Sequence, residues 1–134
     1  MAFKHSKNTV VKLDAKDLST FTNASTFEKN SDSHDVTTYG KNAHVFDGGL
    51  LNGAQGIEGV YDSTAVTGPR AVILPLVGTV VPFIRQPEGT GPGLPQDSFD
   101  VLVVKYIETS PVADMIKWAA ELQPSDAMDH AAQV

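Results

Sequence analysis

The sequence predicts a mainly β fold in a single domain spanning residues 1–134. Segments rich in β-branched residues recur along the chain, beginning with "NTVVKLDA" at 8–15. Eleven glycines and eight prolines interrupt them, which favours turns over long helices. A chain of 134 residues has the usual size of one domain and buries one modest core.

Composition excludes several classes of function. The net charge is −6, from 16 acidic and 10 basic residues, and the bases are scattered, which argues against tight nucleic-acid binding. No apolar run is long enough to cross a membrane, so no membrane partner is expected. The absence of cysteine excludes disulfides and thiolate chemistry. The first residues lack the apolar region of a secretory signal, so we expect synthesis to end in the cytoplasm.

The first half of the chain predicts strands separated by turns. The segment 8–15 forms the first strand and is closed by a turn-like "DAKDLS". The polar segment 21–35 is a weak strand or a loop, and "HDVTTY" at 34–39 regains β character. The glycines that follow predict turns and close backbone approaches: Gly40, Gly48, Gly49, Gly53, Gly56 and Gly59.

One short helix is predicted after these glycines. It begins at 67–68 with Pro69 as its first residue, and Gly78 favours its end. Because a proline inside a helix removes a hydrogen bond and clashes with the preceding turn, Pro75 ends or kinks the helix near Leu74.

Two more strands and a long loop follow the helix. "VVPFIRQ" at 80–86 is a strand in which Pro82 requires an edge or a bulge. Residues 86–97 are rich in glycine and proline and predict an extended, flexible loop. "SFDVLVVKYIET" at 98–109 is the clearest strand, with burial on both faces at its centre. One face carries the core residues Phe99, Val101 and Val103.

The last segments are harder to assign. Residues 112–123 fit both a helix with one apolar stripe and an alternating strand, and propensity favours the helix. Residues 124–134 have little apolar content and predict a loose C-terminal tail.

The sequence offers little support for catalysis. His34, Asp35 and His44 are the only plausible metal or acid–base group, and they lack the short histidine spacing of metal sites. The loop at 86–97 lacks the lysine and hydroxyl residue that complete a phosphate-binding loop, and there is no Gly-x-Ser-x-Gly elbow. We therefore expect a structural or binding protein without a catalytic residue, metal or cofactor.

The order of several short motifs resembles the major tail tube proteins of long-tailed bacteriophages. In that family an Asp-x-Thr-Thr-aromatic-Gly run precedes a Gly-Leu-x-x-Gly turn, then Gly-x-Tyr-Asp, and a last strand ending in Leu-Gln or Phe-Gln. The resemblance covers residues 8–123. The matching corner and assembly motif is formed by Asp35, Thr37, Thr38, Tyr39, Gly40, Gly49, Leu50, Gly59, Tyr61 and Asp62.

The resemblance implies a small β-barrel or sandwich with one helix packed on it. Subunits of that family form hexameric rings, which stack into a hollow tube that carries DNA in the virion tail. The implied partners are further copies of the chain, other virion proteins and transiently passing DNA. The loop at 86–97 is the implied contact between rings, through Glu88, Gly89, Gly91 and Gly93.

The resemblance also implies specific elements. It pairs strands at 35–39 and 57–62 across a glycine-rich corner, and it places the helix at about 68–76. It assigns residues 112–123 to a strand, against propensity, with Ile116, Trp118 and Leu122 in the core. Acidic residues facing the lumen would keep DNA mobile, although the sequence does not identify them.

Three other assignments stay open on the sequence. A capsid decoration or head–tail neck protein of related fold would assemble with another symmetry, and the inner tube of a contractile injection system would have a sheath partner. An enzyme using His34, Asp35 and His44 is the remaining alternative.

Overall fold

The computed structural model describes residues 3–134 as one antiparallel sheet with a single short α-helix. The strands are β1 Val10–Leu13, β2 Lys16–Asp17, β3 Ala24–Asp35, β4 Phe46–Val60, β5 Val80–Gln86, β6 Asp97–Thr109 and β7 Lys117–Asp129, and the helix α1 is Pro69–Ile73. Their spatial order is β2-β1-β5-β6-β7-β4-β3. The predicted mainly β class with one short helix is confirmed. No helix in the described part of the chain is long and apolar enough to span a membrane.

The sheet is strongly curved. Phe27 lies on β3, at one end of the sheet, and Phe99 lies on β6, three strands away, yet their ring centroids are 5.8 Å apart. In a flat sheet three strand spacings would separate them by about 14 Å. The sheet therefore folds around its own inner face in the manner of an open barrel.

One hydrophobic core fills this inner face. Phe99, Val101, Val103, Trp118 and Leu122 are all buried in it. The helix α1 contributes Val72 and Ile73, which are also buried. Ile116 was expected in the core but is 38% exposed, because β7 begins only at Lys117 and the residues before it leave the sheet in a turn.

The turn and helix predictions around β1 and α1 are confirmed. β1 and β2 form a two-residue hairpin at Asp14 and Ala15, both with positive φ as such tight turns require. Pro69 is the first residue of α1, and a 3-10 turn at Leu74–Leu76 contains Pro75. Gly78, at φ +88°, then redirects the chain into β5.

Pro82 lies inside the sheet but beyond the end of its neighbour. The β1–β5 ladder stops at Leu13 and Phe83, and the Asp14 N–H donates to the Pro82 carbonyl at 2.8 Å. A strand residue directs its N–H and C=O to the same side, so the N–H that Pro82 lacks would point past the end of β1. Pro82 therefore occupies an edge position, as expected, but only because the neighbouring strand β1 ends beside it.

The glycine-rich segment does not form the expected series of turns. Apart from Gly40, its glycines lie inside the continuous strand β4. A Cβ at Gly59 would overlap the Phe21 carbonyl oxygen, and one at Gly53 would lie 2.5 Å from the Glu28 carbonyl oxygen. These two glycines make room for neighbouring backbone.

The strand pairing implied by the resemblance is wrong in register. The polar segment 21–35, for which the sequence allows a weak strand or a loop, contains the long strand β3. This strand pairs with β4 from Ala24 opposite Glu58 to Asp35 opposite Phe46. Residues 35–39 thus do not pair with residues 57–62. The turn lies at 36–45, and the strands on both sides of it are longer than the sequence indicated.

Burial on both faces of β6 is not observed. Phe99, Val101 and Val103 face the core, whereas Val104 on the opposite face is 50% exposed and Leu102 is half-buried. One face of the curved sheet encloses the core, to which α1 also contributes, and the other face is open.

The segment after β6 is a strand, as the resemblance implied and against helix propensity. Trp118, Ala120 and Leu122 alternate with exposed or half-buried residues along β7. The tail was expected to be loose from residue 124, but β7 continues to Asp129 and pairs with β6 as far as Ser98. Backbone pairing with β6 orders this segment even though it has few apolar residues.

Candidate assembly surfaces

The β3–β4 hairpin extends well beyond the rest of the sheet. β7 pairs with β4 only over Gln55–Val60, whereas the β3–β4 ladder continues to Asp35 and Phe46. We call residues 30–52 the arm. Every residue in the arm is exposed, and no third strand lies beside it in the described structure. A hairpin of two strands without a core is at best marginally stable in water.

Large apolar side chains line the arm. Phe46 is 61% exposed, Leu50 is 81% exposed and Leu51 is 64% exposed, and Tyr39 at the tip is fully exposed. Clusters of exposed apolar residues on a small protein mark surfaces that bind another macromolecule. The arm therefore has the composition of a contact surface.

The arm tip is a hydrogen-bonded turn. Asp35 Oδ1 accepts bonds from the Thr37 hydroxyl at 2.6 Å and the Thr37 N–H at 2.9 Å, and the hydroxyl in turn accepts from the Val45 N–H at 2.8 Å. These Thr37 bonds hold the pKa of Asp35 below its usual value. His44 Nδ1 lies 3.2 Å from Asp35 Oδ2.

The structure places the three residues that were candidates for a metal or acid–base group: His34, Asp35 and His44. Asp35 and His44 are brought together, but His34 lies beside Gly49 on the strands. Among residues 3–134 no group of three histidine or acidic side chains is arranged to hold a metal ion. Asp35 is already occupied in building the turn.

The corner motif is divided between two distant places. Its members from Asp35 to Gly40 lie at the arm tip, with Gly49 and Leu50 nearby on β4. Gly59 is ten residues further along the same strand, which places it about 33 Å from Gly49. Next to it, Tyr61 donates its N–H to the Ile116 carbonyl at 2.8 Å.

Asp62 repeats the turn chemistry of the arm tip near that far end. Its Oδ1 accepts bonds from the Thr64 hydroxyl and the Thr64 N–H, which lower the pKa of Asp62. The motif residues therefore form two separate turns and two glycine positions, Gly49 and Gly59, at which a neighbouring segment lies close to the strand. They do not form one site.

The loop between β5 and β6 spans residues 87–96, which is one residue less at each end than the predicted 86–97. Gly89 and Gly93 have φ of +94° and +79°, which favours glycine. The buried Gln86 side chain anchors the loop from below, since its Nε2 donates to Gln96 Oε1 at 2.9 Å and its Oε1 accepts from the Thr90 hydroxyl at 2.7 Å. Glu88 lies 3.5 Å from Lys4.

The open face of the sheet carries three acidic side chains on adjacent strands. Glu28, Glu58 and Glu121 are exposed, and each alternates with core-facing neighbours on β3, β4 and β7. Glu121 pairs with Gly56 on β4, so no bulky side chain stands between it and β3. The register also places the exposed Lys105 of β6 opposite Glu121, so the three carboxylates share this face with a basic side chain. The sequence could not identify this grouping, because it depends on which strands are neighbours.

Comparison with solved structures identifies the fold. The virion of a native gene transfer agent particle contains a chain that matches with a TM-score of 0.79 and 17% identity, over 97% of this chain and 100% of that chain. The tail of an empty gene transfer agent particle with C6 symmetry matches with a TM-score of 0.78 and 17% identity, over the same shares of the two chains.

The SPP1 tail tube matches with a TM-score of 0.73 and 9% identity, over 98% of this chain and 81% of that chain. The chain has a tail tube fold. No protein-family profile and no curated protein sequence matches it. The tail tube fold is thus conserved here in its architecture while most residue identities differ.

Proposed function

We propose that this chain is a structural virion protein that forms hexameric rings, which stack into the hollow tail tube of a phage-like particle. The observation that carries the proposal is the tail tube fold shared over nearly the full length of both chains, including a tail described with C6 symmetry. The likeness to solved virion and tail structures supports a structural role.

Ring formation would use the outer edge of β3. This edge strand is 12 residues long, and its outer side has no partner strand within residues 3–134. Unpaired backbone N–H and C=O groups of this kind bind a strand of another chain. A contact between two different surfaces, repeated by rotation, closes into a ring.

Stacking of rings would use the arm and the loop at 86–97. The arm offers Phe46, Leu50 and Leu51, which lack a partner in the isolated subunit. The loop offers Glu88, Gly91 and Gly93, with little side-chain bulk to prevent close approach. Gly89, which was also predicted to make this contact, is buried next to the Asn8 carbonyl and is not available for it. Burial of each large apolar side chain stabilises a contact by about 1.5–3 kcal/mol.

The open face with Glu28, Glu58 and Glu121 is our candidate for the lumen surface. Carboxylates repel the phosphates of passing DNA and thereby prevent adhesion. Lysine at all three positions is expected to leave tube assembly intact and to slow DNA ejection from particles. An unchanged rate of DNA ejection would contradict the placement of these three residues at the lumen.

A decoration or neck protein, and the inner tube of a contractile system, are the competing roles. Both would place the protein in a particle, but a decoration or neck protein would give a different oligomeric symmetry. An inner tube would copurify with a sheath protein. Symmetry and copurification therefore separate the three roles.

The experiment is negative-stain electron microscopy of the purified chain over a range of concentrations, with light scattering on the same samples. Six-fold rings with a central hole, and stacks of such rings, are the expected result. Trimers or a uniformly monomeric sample, even when seeded with tail tips, would contradict the proposal.

A further inference from the structure

The segment after β7 folds back onto the loop at 86–97. Gln133 donates its N–H to the Leu94 carbonyl at 2.9 Å and accepts from the Gly93 N–H at 2.8 Å. Its side chain accepts from the Gly91 N–H at 3.0 Å and donates to the Gly89 carbonyl at 2.8 Å. One residue thus binds the backbone of the loop at four successive points. We call residues 130–133 the clasp.

The loop depends on such contacts because its sequence supplies few of its own. It contains three glycines and three prolines, which provide conformational freedom at some positions and no backbone donor at others. Gln86 holds the base of the loop, whereas Gln133 holds its middle. Without the clasp, the Gly91 and Gly93 N–H groups would lose their partners.

The other end of the clasp contacts the root of the arm. His130 Nδ1 lies 2.7 Å from Asp97 Oδ1, and its Nε2 lies 3.1 Å from Lys29 Nζ. Lys29 is the last residue before the arm, and Asp97 is the first residue of β6, directly after the loop. The His130 ring also packs edge-on against Phe27, with the centroids 5.8 Å apart.

These contacts favour one arrangement of hydrogen bonds at the His130 ring. The Lys29 ammonium group has only hydrogens to donate, so Nε2 accepts, and Nδ1 therefore carries the hydrogen that is donated to Asp97. The second oxygen of Asp97 is bound by Arg85 Nη1 at 3.2 Å. The His130 ring thus connects β3 to the start of β6 through two directional contacts.

We propose that the clasp positions the loop at 86–97 and the root of the arm relative to each other, with Gln133 and His130 as the positioning residues. This inference rests on the proposed function, because it treats the arm and the loop as assembly surfaces. A single four-residue stretch then sets the geometry of both surfaces before a neighbouring subunit binds.

The first test measures amide hydrogen exchange in the full chain and in Gln133→Ala. Loss of the side-chain bonds is expected to speed exchange of the Gly91 amide about tenfold, while amides in the centre of β6 are unchanged. Val134→Ala is the matched control, since Val134 is fully exposed and makes no hydrogen bond in the described structure. An unchanged exchange rate of the Gly91 amide would contradict the claim that the clasp holds the loop.

The second test measures assembly by light scattering. Gln133→Ala and His130→Ala are each expected to raise the concentration needed for assembly by about tenfold, without loss of the folded monomer. His130→Gln is expected to restore assembly, because its amide can donate to Asp97 and accept from Lys29. Normal assembly by both alanine variants would overturn the positioning role.

The two proposals fail in different ways. If the unaltered chain forms no rings, the proposed function fails, and the exchange rate of the Gly91 amide still decides whether the clasp holds the loop. If the unaltered chain forms tubes and Gln133→Ala forms them equally well with a loosened loop, only the positioning role fails.

Discussion

The strands β3 and β4 run through both the arm and the rest of the protein, which we call the body. The two regions nevertheless differ in how they are stabilised. In the body, β4 alternates between buried and exposed residues, as at Gln55, Ile57 and Gly59. In the arm, the same strand has no buried residue at all. The hydrogen-bond ladder is shared, so the difference lies in side-chain burial.

The comparison shows that a regular ladder does not by itself make a stable element. Burial of apolar area is the main favourable term in folding, and the arm has almost none in the isolated chain. Its exposed Phe46, Leu50 and Leu51 contribute no burial to the folded chain, which agrees with the contact role that we propose for the arm. Folding free energy is therefore concentrated in the body, and we propose that the arm contributes to assembly instead.

Replacing Trp118 with alanine should give the largest loss of stability. Trp118 is 1% exposed, stacks on Tyr106 and donates its Nε1–H to the Phe21 carbonyl at 3.2 Å. We expect the free energy of unfolding to fall by about 3–5 kcal/mol in urea denaturation. Val112→Ala, at a fully exposed position, is the control and should change it by less than about 0.5 kcal/mol. A loss at Trp118 no larger than the control would contradict the assignment of the core to this site.

Replacing Glu108 with alanine should give an intermediate loss within the body. Arg70 on α1 donates to both Glu108 oxygens at 2.8 and 2.9 Å, and the Tyr106 hydroxyl donates to one of them at 3.0 Å. Because Arg70 is half exposed, we expect a loss of only about 1 kcal/mol. Glu108→Gln keeps an acceptor for Tyr106 and should lose less. Equal losses would mean that the ion pair alone holds the helix.

Replacing Leu50 and Leu51 together with asparagine should barely change the unfolding of the isolated chain. Both side chains are already exposed, so we expect a change below about 0.5 kcal/mol. Assembly followed by light scattering should instead require at least about tenfold more protein, because two apolar contacts are lost. Val112→Asn, which changes a fully exposed apolar side chain outside the arm, is the control. A clear loss of monomer stability would mean that the arm shares the core of the body.

The smallest expected effect is a local dependence on pH at the arm tip. The Thr37 hydrogen bonds lower the pKa of Asp35 from 3.8, so their contribution is complete above that value and is lost as the pH falls through the lowered pKa. The Thr37 amide resonance should follow this titration in NMR spectra, while core resonances do not. In Asp35→Ala the Thr37 resonance should be independent of pH in this range.

The strands of the body were largely predictable from the sequence, whereas the arm was not. Alternation at Phe99, Val101 and Val103 reports burial directly, because side chains on a strand alternate between faces. The arm has no such alternation, and its glycines indicated turns. What places Gly53 and Gly59 within a strand is the neighbouring backbone, which a local pattern does not contain.

The contact surfaces were predictable only in part. The bounds of the loop at 86–97 follow from its glycines and prolines, but the Gln133 contacts join residues more than 30 positions apart. The acidic face joins β3, β4 and β7, whose order in the sheet is not their order in the chain. Long-range pairing of this kind overrides local propensity, as it does in β7.

Amide hydrogen exchange of the free chain and of the assembled tube tests most directly whether the arm is completed by a neighbouring subunit. In the free chain we expect amides in residues 30–52 to exchange at least about 100-fold faster than those in the centres of β6 and β7. In the tube the arm amides should become protected while the body is unchanged. Tubes whose arm amides keep the exchange rates of the free chain would contradict this account.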